Sequence, residues 1–144
     1  MRPVAPLLIA VSLLISCAAN AKCAAFSTSE RFSGAETVVL VSIVDARDGP
    51  VPWPYGLSKG AVPGRLLKLR VVRSWKGSLK PADIVEGWTQ SPKIEDAYPF
   101  TDVGAKIVVF FARDSHEIRA CNAADPNRLD EISQELDAIV RRGS

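Results

Sequence analysis

One histidine, one methionine and three cysteines stand in 144 residues, and that scarcity excludes several chemistries. A structural zinc site takes four ligands from Cys, His and carboxylates. With His116 as the one histidine, no metal site and no cofactor are expected. No glycine-rich phosphate loop and no Gly-x-Ser-x-Gly elbow occurs, so two common catalytic frameworks are missing. No apolar run approaches the roughly 20 residues that span a bilayer as a helix. Lysine and arginine number 18 against 16 aspartate and glutamate, which lacks the basic excess of a dedicated nucleic-acid binder. Acid is also missing locally. None lies from Gly49 to Ala82, where Lys59, Arg65, Lys68, Arg70, Arg73, Lys76 and Lys80 stand. From Asp83 onward acids outnumber bases twelve to seven. Part of the surface is therefore expected to be locally positive.

What is present begins with an export signal. Arg2 precedes an apolar stretch, Leu7 to Ile15, the pattern of a secretory leader too short to be a membrane helix. Two processing routes stay open. Ala19-Asn20-Ala21 is a small-x-small site that would free Lys22, dividing the chain into a signal (1–21) and one domain (22–144). Leu14-Ile15-Ser16-Cys17 instead resembles a lipobox, with Cys17 acylated. A five-residue tether to Cys23 would be short for a lipoprotein, which favours Lys22. The protein is thus expected to be secreted or periplasmic, with lipid anchoring through Cys17 as the alternative. Setting Cys17 aside leaves Cys23 and Cys121, an even pair that suggests one structural disulfide in an oxidising compartment.

Periodicity gives the elements. Thr37 to Val44 is β-branched and apolar, a buried strand. Asp45 to Gly64 carries four prolines and four glycines and is expected to be a long loop. Arg65 to Arg73 alternates, with Leu67, Leu69 and Val71 opposite Lys68 and Arg70, a half-buried strand closed by a turn at Ser74–Gly77. Ile84–Thr89, Lys106–Ala112 and Glu117–Cys121 are expected as strands three, four and five. Leu129, Ile132, Leu136, Ile139 and Val140 then recur at helical spacing, with Asp125 as N-cap and Pro126 at the first position. Five strands and a helix without βαβ alternation imply a mainly β antiparallel barrel or sandwich.

The residues that could carry chemistry are few. His116 lies in Arg113-Asp-Ser-His-Glu117, a polar connection, and reads as an exposed hairpin residue. Asp45/Asp48 and Glu95/Asp96 read as solvated carboxylates at strand ends. No catalytic set is visible, and the chain is not expected to be an enzyme. Trp53 and Tyr55 are stronger candidates. In Val51-Pro-Trp-Pro-Tyr-Gly56 the prolines stiffen the loop, and aromatics on a stiff loop lose little entropy on binding. Lys68 and Arg70 could join Lys59, Arg65, Arg73 and Lys76 in a patch for anionic lipid, glycan or an acidic protein.

Taken in order, several segments resemble the OB-fold module of the tissue inhibitors of metalloproteinases and their bacterial relatives. Cys23 followed by Ser33-Gly-Ala-Glu-Thr-Val-Val-Leu-Val-Ser42 is similar to the first long strand. Leu69-Arg-Val-Val-Arg-Ser-Trp-Lys-Gly77 is similar to the second strand and its turn. Val103-Gly-Ala-Lys-Ile-Val-Val-Phe110 is similar to a strand entered through a glycine turn, and Arg119-Ala-Cys-Asn122 precedes a C-terminal helix. The resemblance implies a five-stranded OB-like antiparallel barrel with a C-terminal α-helix. It implies a Cys23–Cys121 bridge, whose loop of roughly 100 residues would stabilise by about 4–5 kcal/mol in the chain-entropy treatment. It also implies protein binding through the loop between strands one and two. The family's first cysteine is replaced by Ala21, and no cysteine lies between Gly87 and Phe100 to partner it. Zinc chelation through an N-terminal cysteine is therefore not carried over. The function these observations imply is non-catalytic binding of a protein partner through the Pro-rich loop. A lipid-anchored envelope component binding anionic glycan or lipid is the alternative.

Overall fold

The structure, a computed structural model, describes residues 26–52, 60–91 and 98–143. Trp53, Tyr55, Lys59, Cys17 and Cys23 lie outside the described residues, as do the signal segment and Glu95/Asp96. Its elements are α1 (Thr28–Gly34), β1 (Thr37–Pro52), β2 (Ala61–Lys76), β3 (Ile84–Gln90), β4 (Lys106–Phe111), a 3-10 turn at Pro126–Arg128 and α2 (Leu129–Arg142). The strands form one antiparallel sheet in the order β3-β2-β1-β4, curled into a half-barrel.

The curl follows from β1. Its pairing with β2 shifts register between Val38 and Val39, Leu40 and Val41, and Ile43 and Asp45. Such irregularities bend a strand and increase its twist. The concave side is filled by Val39, Val41, Ile43, Leu67, Leu69, Val71, Ile107, Val109 and Phe111. On the other side Val38, Val108 and Phe110 pack with Ala35, Ala124, Ile132 and Leu136 beneath α2. β1 and β4 are thus covered on both faces, which explains why Val38–Val41 and Ile107–Phe111 are continuously apolar while β2 alternates. The helix is anchored at its margin by Asp137, which accepts hydrogen bonds from the Trp75 indole (2.8 Å) and an ion pair from Arg73 (2.6 Å). No helix among the described residues is long and apolar enough to cross a membrane.

Four expectations are corrected. The stretch from Asp45 to Gly64 is mostly not loop: β1 and β2 stay paired as far as Pro52↔Ala61. Pro63 opposes Pro50, and its carbonyl turns toward β3 to accept the Ser91 N–H (3.2 Å). In an antiparallel ladder a residue's N–H and C=O point the same way. Pro50↔Pro63 is therefore a non-hydrogen-bonded pair, and neither missing donor breaks a bond to the partner strand. β2 likewise continues through Ser74–Lys76, so the turn begins at Gly77, whose φ of +97° suits glycine.

Among the described residues no fifth strand runs over Glu117–Cys121. Isolated bridges stand there instead, among them Trp88↔Glu117 parallel to β3 and Val109↔Ala123 antiparallel to β4. Between them the chain turns, because Asn122 takes its backbone groups: its Oδ1 accepts the Arg119 N–H (2.7 Å) and its Nδ2 donates to the Glu117 carbonyl (2.7 Å). Cys121 lies in this turn and is disulfide-bonded. Finally, Ser33–Glu36 is not part of the first strand. A short helix precedes it, closed by a capping box in which Ser27 and Glu30 satisfy each other's backbone donors.

Candidate functional site

The proline positions that keep the hairpin paired also shape its surroundings. β4 pairs only with Thr37–Ser42, and Ile43 is met by Gly104 and Ala105. β3 accompanies β2 only from Gly64 to Arg70. Among the described residues β1 has no strand partner but β2 beyond Ser42, and β3 leaves β2 at Gly64, so only the last four pairs, Gly49↔Gly64 to Pro52↔Ala61, project as a two-stranded arm of roughly 13 Å. A cleft of about 800 Å³ opens between this arm, the end of β3 and Tyr98–Thr101. Pro50, Ala61, Val62, Pro63 and Pro99 supply most of its apolar lining, and Asp48, Arg65, Gln90 and Thr101 its polar groups.

Tyr98 fixes one wall. It is buried, its hydroxyl donates to the Ala124 carbonyl (3.0 Å), and its N–H donates to Thr89 Oγ1 (3.1 Å). Burial, with a smaller contribution from the Asp125 charge, pushes the phenol well above its ordinary range. The hydroxyl therefore stays protonated, and Phe100 meets the ring edge-on at 5.5 Å. Arg65 stands across the cleft's polar side. Its Nη1 lies 3.5 Å from Asp48 Oδ1, and its Nε is buried with no hydrogen-bond partner among the described residues.

The expected basic patch is divided by the strand geometry. Arg65 shares the concave parity of Leu67 and Leu69, whereas Lys68 and Arg70 are exposed on the opposite face. Asp45 and Glu86 flank Lys68 directly in the ladder. Arg73 pairs with Asp137, and Lys76 donates to the Phe32 and Ser33 carbonyls (2.8 and 3.3 Å) at the end of α1. Among the described members, only Lys68 and Arg70 form a shared outer surface. Trp75 packs under α2, and Trp88 is half-buried opposite Leu66 on β2. His116 is exposed, with Nδ1 3.1 Å from the Glu86 carbonyl and its ring 5.0 Å from Phe111. No group of three metal-ligating side chains gathers among the described residues.

No protein-family model matches this chain, and no curated protein does.

Sequence reasoning missed the cleft. Its walls come from four separated stretches, and Tyr98, Thr89 and Thr101 belong to no motif. One local signal was available: Gly64 and Gly49 oppose each other in the arm, and facing glycines in a paired strand mark a close approach.

Proposed function

We propose that the protein is an exported, non-catalytic binding module that captures a protein partner through the end of the β1–β2 arm. The arm itself carries this reading: β1 and β2 stay paired to Pro52↔Ala61, beyond the last β4 partner, Ser42, and the last β3 partner, Gln90. Trp53 and Tyr55 belong to the connection between these two strands. A proline-stiffened arm restricts what it presents before binding, so less entropy is lost on association. Aromatic side chains are the usual anchors of such interfaces.

The same reading includes an OB-like barrel. Residues 116–124 supply its support, because they bond to both sheet edges. Trp88 N–H donates to the His116 carbonyl and Ile118 N–H to the Trp88 carbonyl (3.2 and 2.8 Å). Phe110 N–H donates to Asn122 and Ala124 N–H to Val108 (2.8 and 2.9 Å). We take these bonds as the closure of the barrel, with Cys23 as the disulfide partner of Cys121. The acids beside Lys68 weigh against a site for anionic glycan or lipid on that face.

The test is capture of partners from the extracytoplasmic fractions of the source cells, with the parent and the Trp53→Ala/Tyr55→Ala double variant. A partner retained by the parent and lost by the double variant is the expected result. Equal capture by both would remove the arm's end from the binding surface.

A further inference from the structure

The cleft beside the arm needs none of the residues assigned to protein capture, and its chemistry points elsewhere. About 800 Å³ lies within the range of small-molecule sites and is too little for a folded partner. Three of its lining residues, Pro50, Pro63 and Pro99, have no backbone N–H to offer. The body of a ligand lying on them would gain nothing from being polar. The Tyr98 hydroxyl is already committed to Ala124, so the phenol presents its ring.

Against this apolar lining stands, among the described residues, one cation with unused capacity. A guanidinium has five N–H donors. Arg65 makes a single ion pair, at 3.5 Å, to an Asp48 side chain that is 86% exposed, and its Nε finds no acceptor among the described residues. A buried donor without a partner is unfavourable until an acceptor arrives. The acceptor that suits a planar guanidinium fork is a carboxylate. Asp48 limits the charge it can bear: a dianion such as phosphate would meet one cation and one anion, whereas a monoanion keeps the balance favourable.

We infer that the cleft binds a small apolar acid, a single carboxylate on a hydrocarbon or aromatic body, with the carboxylate on Arg65 and the body along Pro50, Pro63 and Tyr98.

The experiment titrates the purified protein with octanoate and with 1-octanol, followed by calorimetry and amide chemical shifts. Octanoate is expected to bind saturably at one site and about tenfold more tightly than 1-octanol, the effect of one charge-assisted hydrogen-bonded pair. Arg65→Gln should lower octanoate affinity by about tenfold while leaving 1-octanol unchanged. A second variant, Ala61→Trp, fills the cleft from an exposed position without touching Arg65, and should weaken both probes. Any of three results would overturn the inference: equal affinity for acid and alcohol, octanoate binding unaffected by Arg65→Gln or Ala61→Trp in a folded variant, or no saturable octanoate binding at millimolar concentration.

Discussion

Gly64→Ala sets two effects of opposite sign against each other. Glycine inside a strand is ordinarily worse than alanine by about 0.5–1 kcal/mol, so intrinsic preference alone would make the change stabilising. At this position the added Cβ would stand 2.3 Å from Val51 Cγ2, 2.7 Å from Val51 Cγ1 and 2.6 Å from the Thr89 carbonyl oxygen. Neither neighbour can yield cheaply. Val51 is only 1% exposed, and a β-branched side chain has few alternative rotamers. The Thr89 oxygen is β3 backbone, so moving it strains the β2–β3 ladder. Overpacking of this kind costs about 1–3 kcal/mol, which exceeds the gain in preference. The net expectation is a loss of about 1–2 kcal/mol, or roughly 4–8 °C in Tm for a domain of this size. Gly34→Ala is the matched control. It ends α1 with nothing within 4 Å of the new Cβ, and should stabilise by about 0.5–1 kcal/mol. Urea unfolding of both variants by tryptophan fluorescence, with the disulfide intact, reads the two signs. A Gly64→Ala midpoint at or above the parent's would refute the packing of the arm against β3.

Other outcomes follow from the helix and from Tyr98. Leu136→Ala removes a fully buried side chain between α2 and the sheet and should cost about 2–5 kcal/mol by thermal denaturation; a loss below 1 kcal/mol would mean that α2 is loosely held. The Trp75 hydrogen bond, followed by the Arg73 charge, holds the Asp137 carboxyl below its ordinary range. Its stabilisation is therefore full above that range and fades as pH falls toward the lower folded value. Asp137→Asn should flatten this acid limb in pH-dependent unfolding, and an unchanged limb would assign it to other carboxylates. Tyr98 behaves in the opposite sense. Its folded pKa is raised, so its contribution is present below the ordinary tyrosine pKa of about 10 and is lost as pH climbs past it. Phenolate absorbance should show one of the two tyrosines titrating only as the protein unfolds, and two ordinary titrations would contradict the buried placement of Tyr98.

The parts of the fold that periodicity revealed are those where packing dictates residue type. Leu67, Leu69 and Val71 alternate because β2 has one buried face, and Ile107–Phe111 runs unbroken because β4 has two. Leu129 to Val140 shows its helix because one stripe meets the sheet. Where packing makes no such demand, the pattern is silent. α1 buries none of its residues, so no periodicity could reveal it, and only Ser27 with Glu30 marked its start. Proline misled in the arm because its missing donor was counted as a broken bond, whereas at a non-hydrogen-bonded pair it costs none toward the partner strand. Glu117–Cys121 reads as a strand from Ile118 and its polar neighbours, but Asn122 competes for the backbone and wins.

The basic run shows why a cluster in sequence need not be a cluster in space. On a strand, neighbours at odd and even positions leave by opposite faces, so Arg65 joins the cleft while Lys68 and Arg70 face outward. Farther along, Arg73 is drawn to Asp137 on α2, and Lys76 to the carbonyls that end α1, where a cation offsets the helix dipole. The acids absent from Gly49–Ala82 return from other strands and from α2: Asp48 beside Arg65, Asp45 and Glu86 beside Lys68, Asp137 beside Arg73. Folding thus sets an acid beside Arg65, Lys68 and Arg73, so the local positive charge of the sequence is partly offset in space. For Arg65 the offset is incomplete: among the described residues its one ion-pair partner is an exposed carboxylate at 3.5 Å, and its buried Nε has no acceptor.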